Sequence, residues 1–314
     1  MANTEVLDRV RENISKVVVG KESAIDLMLC TMLCGGHLLV EDVPGIGKTT
    51  LIRSLAQSIS ADFKRIQFTP DLLPSDITGF SMPDMKSGEN RFVPGGIMSQ
   101  IVIADEINRA SPKTQAALLE CMQEKQVTVD GITYPMSDMF MVLATQNPVE
   151  YTGTYLLPEA QLDRFMMCIN LGYPTAEEEK EIMIRFESIE QPTVSAVASV
   201  EDILTLRKQV DEVICTDAIR EYIIRIVEAT RNNRYLQLGI SPRGSLWLLR
   251  ASKAWALMQD RGYVLPDDIQ FLAPAVLLHR LITKPEAVLS DMDSRRILRN
   301  IMSVTAIPAG VYKE

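Results

Sequence analysis

The run His37-Leu38-Leu39-Val40-Glu41-Asp42-Val43-Pro44-Gly45-Ile46-Gly47-Lys48-Thr49-Thr50 limits what this chain can fold into more than any other segment. A short apolar stretch with the length of a buried strand leads into a Gly-containing turn, and a helix opens at Lys48. Glycines let the backbone curl until several N–H groups face one anion, and a helix N-terminus adds the positive end of its dipole. Pro44, Gly45, Ile46, Gly47, Lys48, Thr49 and Thr50 therefore read as a phosphate cradle, with Lys48 reaching the β- and γ-phosphates of a nucleotide and Thr49 offering a hydroxyl to Mg²⁺. The general pattern G-x-x-x-x-G-K-[ST] starts on Gly, whereas this chain has Asp42 there, so the loop draws its support from context.

That context is a pair of further strand ends. Ile101-Val102-Ile103-Ala104-Asp105-Glu106 is an apolar strand closing on two carboxylates, which a parallel sheet would deliver to the same edge as the phosphate loop. There Asp105 can hold Mg²⁺ through water, and Glu106 can orient or deprotonate an attacking water. The plainer alternative, two acids capping a turn, suits an isolated Asp-Glu better than one downstream of a phosphate loop. Phe140-Met141-Val142-Leu143-Ala144-Thr145 ends on Gln146-Asn147-Pro148, and the Asn147 amide can face a γ-phosphate and a water without repelling either. Alone, Asn147 would read as a turn residue before proline.

Alternation of short apolar runs with helical patterns between about 37 and 172 argues for a parallel sheet with crossover helices. Strands are expected at His37–Glu41, Phe63–Phe68, Gln100–Asp105, Met139–Thr145 and Met166–Asn170, with a helix opening near Pro112. Two insertions interrupt the pattern. Residues 126–136 hold β-rich arms about Asp130-Gly131, a hairpin signal. Residues 69–96, rich in Pro, Gly, Asp and Ser, read as an irregular functional loop. A charged helix over Ala176–Glu187 leads into a linker at Ser188–Ser199, and beyond Val200 the pattern is helical. Residues 1–190 thus form the αβα core, and residues 191–314 an all-helical second domain.

Taken together these segments resemble the MoxR family of AAA+ ATPases, and Ala104–Ala110, Ala144–Pro148, Leu157–Phe165 and Ser241-Pro242-Arg243 carry the likeness beyond the phosphate loop. The resemblance spans nearly the whole chain. It implies a P-loop AAA+ αβα core with a five-stranded parallel sheet and a helical lid, ATP and Mg²⁺ as ligands, and ATP hydrolysis. It further implies Asn147 as sensor 1, Arg164 as an arginine finger with Arg109 as the second choice, Arg243 as sensor 2, and an adenine grip at Val18, Val19 and Gly20. By the same likeness the two insertions face the pore of a homo-oligomeric, hexameric ring. The nucleotide cycle would rotate lid against core to remodel a protein client, such as one with a von Willebrand factor A domain. A guanidinium on a transferring phosphoryl group contributes about 10³–10⁵ in rate, so a trans-acting Arg164 would make the site a property of the ring. The simpler role for Arg164 is a partner within the chain for Asp163 or Glu159.

Composition narrows the remaining classes. Against 32 Lys and Arg stand 41 Asp and Glu, a net charge of −9 that argues against nucleic acid as partner and against a DNA-remodelling motor. No basic cluster marks either insertion. No apolar run reaches the roughly 18 residues of a membrane span, so no membrane insertion is expected, and five scattered cysteines fit a reducing, cytoplasmic setting. Asp76-Ile77-Thr78-Gly79 matches the short D-x-x-G of GTPases, but no guanine-reading Asn-Lys-x-Asp accompanies it. A nucleotide-dependent scaffold that does not hydrolyse is the last alternative, and the Asp105-Glu106 pair argues against it.

Overall fold

A computed structural model describes residues 4–41, 46–83, 90–147, 154–187 and 192–310. Its strands are β1 (Leu38–Glu41), β2 (Phe63–Gln67), β3 (Gly79–Pro83), β4 (Asn90–Pro94), β5 (Ile101–Asp105), β6 (Gln126–Val129), β7 (Ile132–Pro135), β8 (Met141–Gln146), β9 (Met167–Ile169), β10 (Leu236–Leu238) and β11 (Ile282–Thr283). Five of them make one sheet in the order β2-β5-β8-β1-β9. Every neighbouring pair in it is parallel.

Strict alternation along these strands produces two cores, one on each face of the sheet. Leu38, Val40, Ile101, Ile103, Met141 and Leu143 join one cluster with helices Thr4–Ser15, Glu22–Cys34 and Lys48–Ser58. Leu39, Val102, Ala104, Val142 and Ala144 join the other with helix Pro112–Glu124. The latter helix starts where its sequence says it should, with Ser111 Oγ accepting from Thr114 N–H at 3.3 Å and Pro112 in the first turn.

Both insertions are antiparallel hairpins. Asp130 and Gly131 both take positive φ (50° and 79°) between β6 and β7, as a two-residue Asp-Gly turn requires. The 69–96 stretch is not irregular throughout: helix Pro74–Thr78 is followed by paired β3 and β4, running from Gly79 opposite Pro94 to Pro83 opposite Asn90. Proline at both ends of a two-stranded ribbon hides such a strand from a sequence reading. Phe92 and Tyr134 stack at 4.0 Å between centroids, joining the two hairpins.

The C-terminal part is built from helices Val200–Glu212, Asp217–Arg231, Pro242–Met258, Pro266–Leu277 and Ser294–Val304. It also contains β10 and β11, a short antiparallel pair that the all-helical expectation lacked. Its apolar core is continuous with that of the sheet: Leu29 and Leu33 of helix Glu22–Cys34 belong to the same buried cluster as Leu248, Ala251 and Leu272 of the lid. Polar contacts follow the same seam. Helix Glu22–Cys34 ends at Gly35, which leaves its last carbonyls short of intrahelical partners. Arg207 Nε donates to Met32 O at 2.8 Å and Arg250 Nε to Cys34 O at 2.9 Å. The expected linker is held as well, with Val197 and Ala198 N–H both donating to Ser58 O. Lid and sheet thus share one continuous apolar core among the described residues.

Candidate functional site

Gly47 caps helix Lys48–Ser58 with φ +86°, a conformation that favours glycine, while a Cβ there would meet no atom of the described residues within 4 Å. The constraint on this position is therefore conformational. Lys48, Thr49 and Thr50 occupy the first helical turn and line a cavity of about 330 Å³ together with Gly47, Asp105, Glu106 and Asn147. Asp42, Val43, Pro44 and Gly45 lie outside the described residues. The structure thus gathers Lys48, Thr49, Asp105, Glu106 and Asn147, drawn from three strand ends, around one space.

Within that space the two acids are held differently. Thr145 Oγ1 donates to Asp105 Oδ1 at 2.5 Å, and Arg65 lies 2.6 Å from Asp105 Oδ2. Glu106 takes a left-handed backbone conformation, φ 55°, rare for a residue with a Cβ. Its N–H donates to Thr145 Oγ1 at 2.9 Å. Such strain costs on the order of 1–3 kcal/mol and is typical of functional positions. The Glu106 carboxylate accepts from Gln67 Nε2 at 2.9 Å and pairs with Arg109 Nε at 3.2 Å. Asn147 is buried, and Asn108 Nδ2 donates to its carbonyl at 3.4 Å.

Donor chemistry suits Mg²⁺: the Thr49 hydroxyl and the Asp105 carboxylate offer hard oxygen ligands in one cavity. Among the described residues no group of three or more His, Cys, Asp or Glu side chains could cage a metal ion. Mg²⁺ typically retains waters and takes phosphate oxygens beside one or two protein ligands, which is the arrangement these residues allow.

A second cavity, about 450 Å³, shares Gly47 and Thr50 with the first and is lined by Val18, Val19, Ile46, Tyr173 and Ile182. An apolar slot continuous with a polar, cationic one matches a nucleobase joined to its phosphates. Gly20 does not line it. Gly20 takes φ +67°, a left-handed conformation that favours glycine, beside the side chain of Glu178.

Arg164 and Arg243 are placed elsewhere. Neither lines the cavity of Lys48; together they line a separate one of about 390 Å³ with Lys125, Trp247 and Arg250. Burial and the nearby Arg207 and Arg250 guanidinium groups push the Lys125 ammonium below its usual range, a sign of locally positive potential. Among the described residues, Asp163 pairs with Arg243 and Arg280 and not with Arg164, so the within-chain role for Arg164 through Asp163 is not realised. Arg109, the second choice as finger, sits against Glu106 of its own chain.

Sequence reasoning missed Arg65, Gln67 and Arg280. Arg65 and Gln67 are two apart on edge strand β2 and so point the same way at the carboxyl edge of the sheet. That spacing in Phe63-Lys64-Arg65-Ile66-Gln67 was the available signal. Arg280 gave none, since Asp163, Phe165 and Met166, which it bonds, lie more than a hundred residues away.

Residues 37–167 match the family described as ATPase family associated with various cellular activities (AAA), and residues 228–301 match the AAA lid domain. The chain is 52% identical to Uncharacterized protein YeaC of Bacillus subtilis over 96% of this chain and 95% of that protein. It is 38% identical to Chaperone MoxR1 of Mycobacterium tuberculosis, covering 98% of this chain and 84% of that protein. Protein MoxR of Paracoccus denitrificans is 31% identical over 87% of each chain. A crystal structure from Cytophaga hutchinsonii superposes with TM-score 0.91 at 41% identity, covering 98% of this chain and 96% of that one.

Proposed function

The chain belongs to the MoxR family of AAA+ ATPases, and from that premise we propose that it hydrolyses ATP with Mg²⁺ at sites shared between neighbouring subunits of a ring, remodelling a protein client. The observation that carries this reading is the separation of two half-sites on one chain. Lys48, Thr49, Asp105, Glu106 and Asn147 surround one cavity, while Arg164 and Arg243 sit in another. Head-to-tail packing brings unlike surfaces together and closes into a ring when the rotation permits. Such packing would seat the arginine face on a neighbour's phosphates.

Each group then has a physical task. Lys48 and the helix N-terminus hold phosphate oxygens, Asn147 orients the γ-phosphate and water, and Glu106 accepts the proton of the attacking water. Mg²⁺, when bound by Thr49 and Asp105, neutralises developing phosphate charge. Arg164 and Arg243 of the adjoining subunit would stabilise the charge that builds on the transferring group.

A protein client is favoured by the hairpins, where Phe80, Met82 and Ile132 are exposed beside the Phe92–Tyr134 stack. Exposed apolar side chains on two-stranded ribbons suit polypeptide better than a phosphate backbone. A partner with a von Willebrand factor A domain is the specific case this family suggests, and a cytoplasmic setting fits the absence of membrane-crossing helices among the described residues.

Mixing tests the shared site. Glu106→Gln subunits keep their arginines, and Arg164→Ala subunits keep their own acids. Each should be inactive alone, and equimolar mixtures should recover ATPase activity. Failure to recover any activity from mixtures that co-assemble would sink the reading.

A further inference from the structure

Asp163 stands immediately before Arg164, and its carboxylate is gripped entirely from the lid. Arg280 Nε donates to Oδ1 at 2.7 Å, Ser241 Oγ lies 3.1 Å from both oxygens, and Arg243 Nη1 is 3.9 Å from Oδ2. Ser241 is also the N-cap of helix Pro242–Met258, with its Oγ accepting from Gly244 N–H at 3.3 Å. The same hydroxyl therefore fixes the start of the helix that carries Arg243 and the carboxylate beside Arg164.

Arg280 extends this grip along the backbone. Its side chain is almost fully buried, and its guanidinium donates to Asp163 O, Phe165 O and Met166 O as well as to Val276 O. Three carbonyls flanking Arg164 are thus fastened to one lid cation whose own charge is balanced by Asp163. Gly244 closes the packing, since a Cβ there would approach Arg280 Cδ to 3.2 Å and Ile240 Cγ2 to 2.5 Å. A partly buried ion pair whose arginine has every donor engaged holds one geometry, because removing Asp163 leaves the buried Arg280 charge uncompensated.

We infer that Asp163, clamped by Arg280 and Ser241, is a positioning residue that fixes the spacing of Arg164 and Arg243, so that both arginines reach a neighbouring subunit's nucleotide as one preset unit. The inference rests on the shared-site reading above. It assigns Asp163 no contact with substrate: its effect passes through the two arginines. A misplacement of about 1 Å in such a constellation costs on the order of 100-fold in rate.

The test compares Asp163→Asn with Ser241→Gly, the latter chosen because glycine is tolerated at an N-cap while losing the bond to Asp163. Steady-state ATPase is measured on the assembled protein, alone and mixed with Glu106→Gln subunits. The expected result is a kcat lowered by on the order of 100-fold for Asp163→Asn, less for Ser241→Gly, with KM for ATP unchanged. Mixing should restore activity, because the intact acids of the variant then meet intact arginines from its neighbour. Wild-type kcat in both variants overturns the inference, as does a loss that mixing leaves in place. If Asp163→Asn fails to assemble, Ser241→Gly decides by the same two criteria. Arg164→Ala run alongside separates the two claims. If mixing with Glu106→Gln does not rescue it, the shared site itself fails; if it is rescued while Asp163→Asn and Ser241→Gly behave as wild type, only the positioning role falls.

Discussion

Gln67 Nε2 donates to Glu106 Oε2 over 2.9 Å, so a neutral amide on the edge strand β2 steers a carboxylate that lines the Lys48 cavity. An amide can hold a carboxylate without competing for a proton, which leaves Glu106 able to act as a base. Replacing Glu106 by Gln keeps its size and most of its hydrogen bonds but removes its capacity to take a proton. We expect kcat to fall by about 10²–10⁴ with ATP affinity retained. Phosphate release and equilibrium nucleotide binding, measured on the same preparation, check this; a parallel loss of binding would show that Glu106 serves the pocket and not the chemistry.

Asp105 supplies the second expectation. Its Oδ2 is 2.6 Å from Arg65, while Oδ1 is engaged by Thr145. A guanidinium on the Asp105 carboxylate, which lines the same cavity as Thr49, opposes a divalent cation there, both by charge and by using the oxygen. Arg65→Met keeps the aliphatic stem and removes the competitor. The Mg²⁺ concentration giving half-maximal ATPase should fall several-fold relative to wild type. An unchanged Mg²⁺ titration would mean that Arg65 leaves without cost, and a lowered kcat would mean that it serves the reaction directly.

Residue patterning alone made the cavity around Lys48 legible, whereas Arg164 and Arg243 were reached only through the family resemblance, for a definable reason. Lys48, Asp105, Glu106 and Asn147 sit at strand ends or at a helix start, where local patterning and glycine fix position, and the parallel sheet aligns those ends automatically. Arg243 sits on a lid helix whose place is set by packing against helix Glu22–Cys34, a contact between segments far apart in the chain. No periodicity within either helix encodes which side of the sheet the lid covers. The β10–β11 pair was invisible for a related cause: strands of three and two residues carry too few side chains for alternation to register.

The continuous core between lid and sheet predicts how the molecule unfolds. Leu29, fully buried on helix Glu22–Cys34, lies in the cluster shared by both parts. Leu29→Ala should cost about 2–5 kcal/mol, the usual range for a buried leucine truncation. Because the cavity opens in the shared core, sheet and lid should still unfold in one transition, followed by circular dichroism and by fluorescence of Trp247 and Trp255, both on lid helix Pro242–Met258. Two separated transitions would show that the lid is an independent folding unit.

His37 sets the pH dependence. Its Nε2 lies 3.1 Å from Met122 O, and its Nδ1 accepts from Val142 N–H at 3.0 Å. One nitrogen must therefore carry a proton and the other must not. Burial is the main reason that its pKa is pushed down, to about 4 from the ordinary 6.5 of a free imidazole. Between those two values the unfolded chain binds more protons than the folded one, so stability rises with pH across the window and falls as pH drops through it. The stability linked to this group is complete above about pH 6.5 and is lost progressively toward pH 4, by roughly 3 kcal/mol. His279, half-buried beside Arg280, is pushed down as well by desolvation and by the Arg280 charge, and adds to the slope. His37→Gln removes the titrating ring, so its unfolding free energy, from urea titrations between pH 4 and 7, should vary less steeply with pH even though the variant is less stable at neutral pH. A slope equal to that of the wild type would place the acid sensitivity in another group.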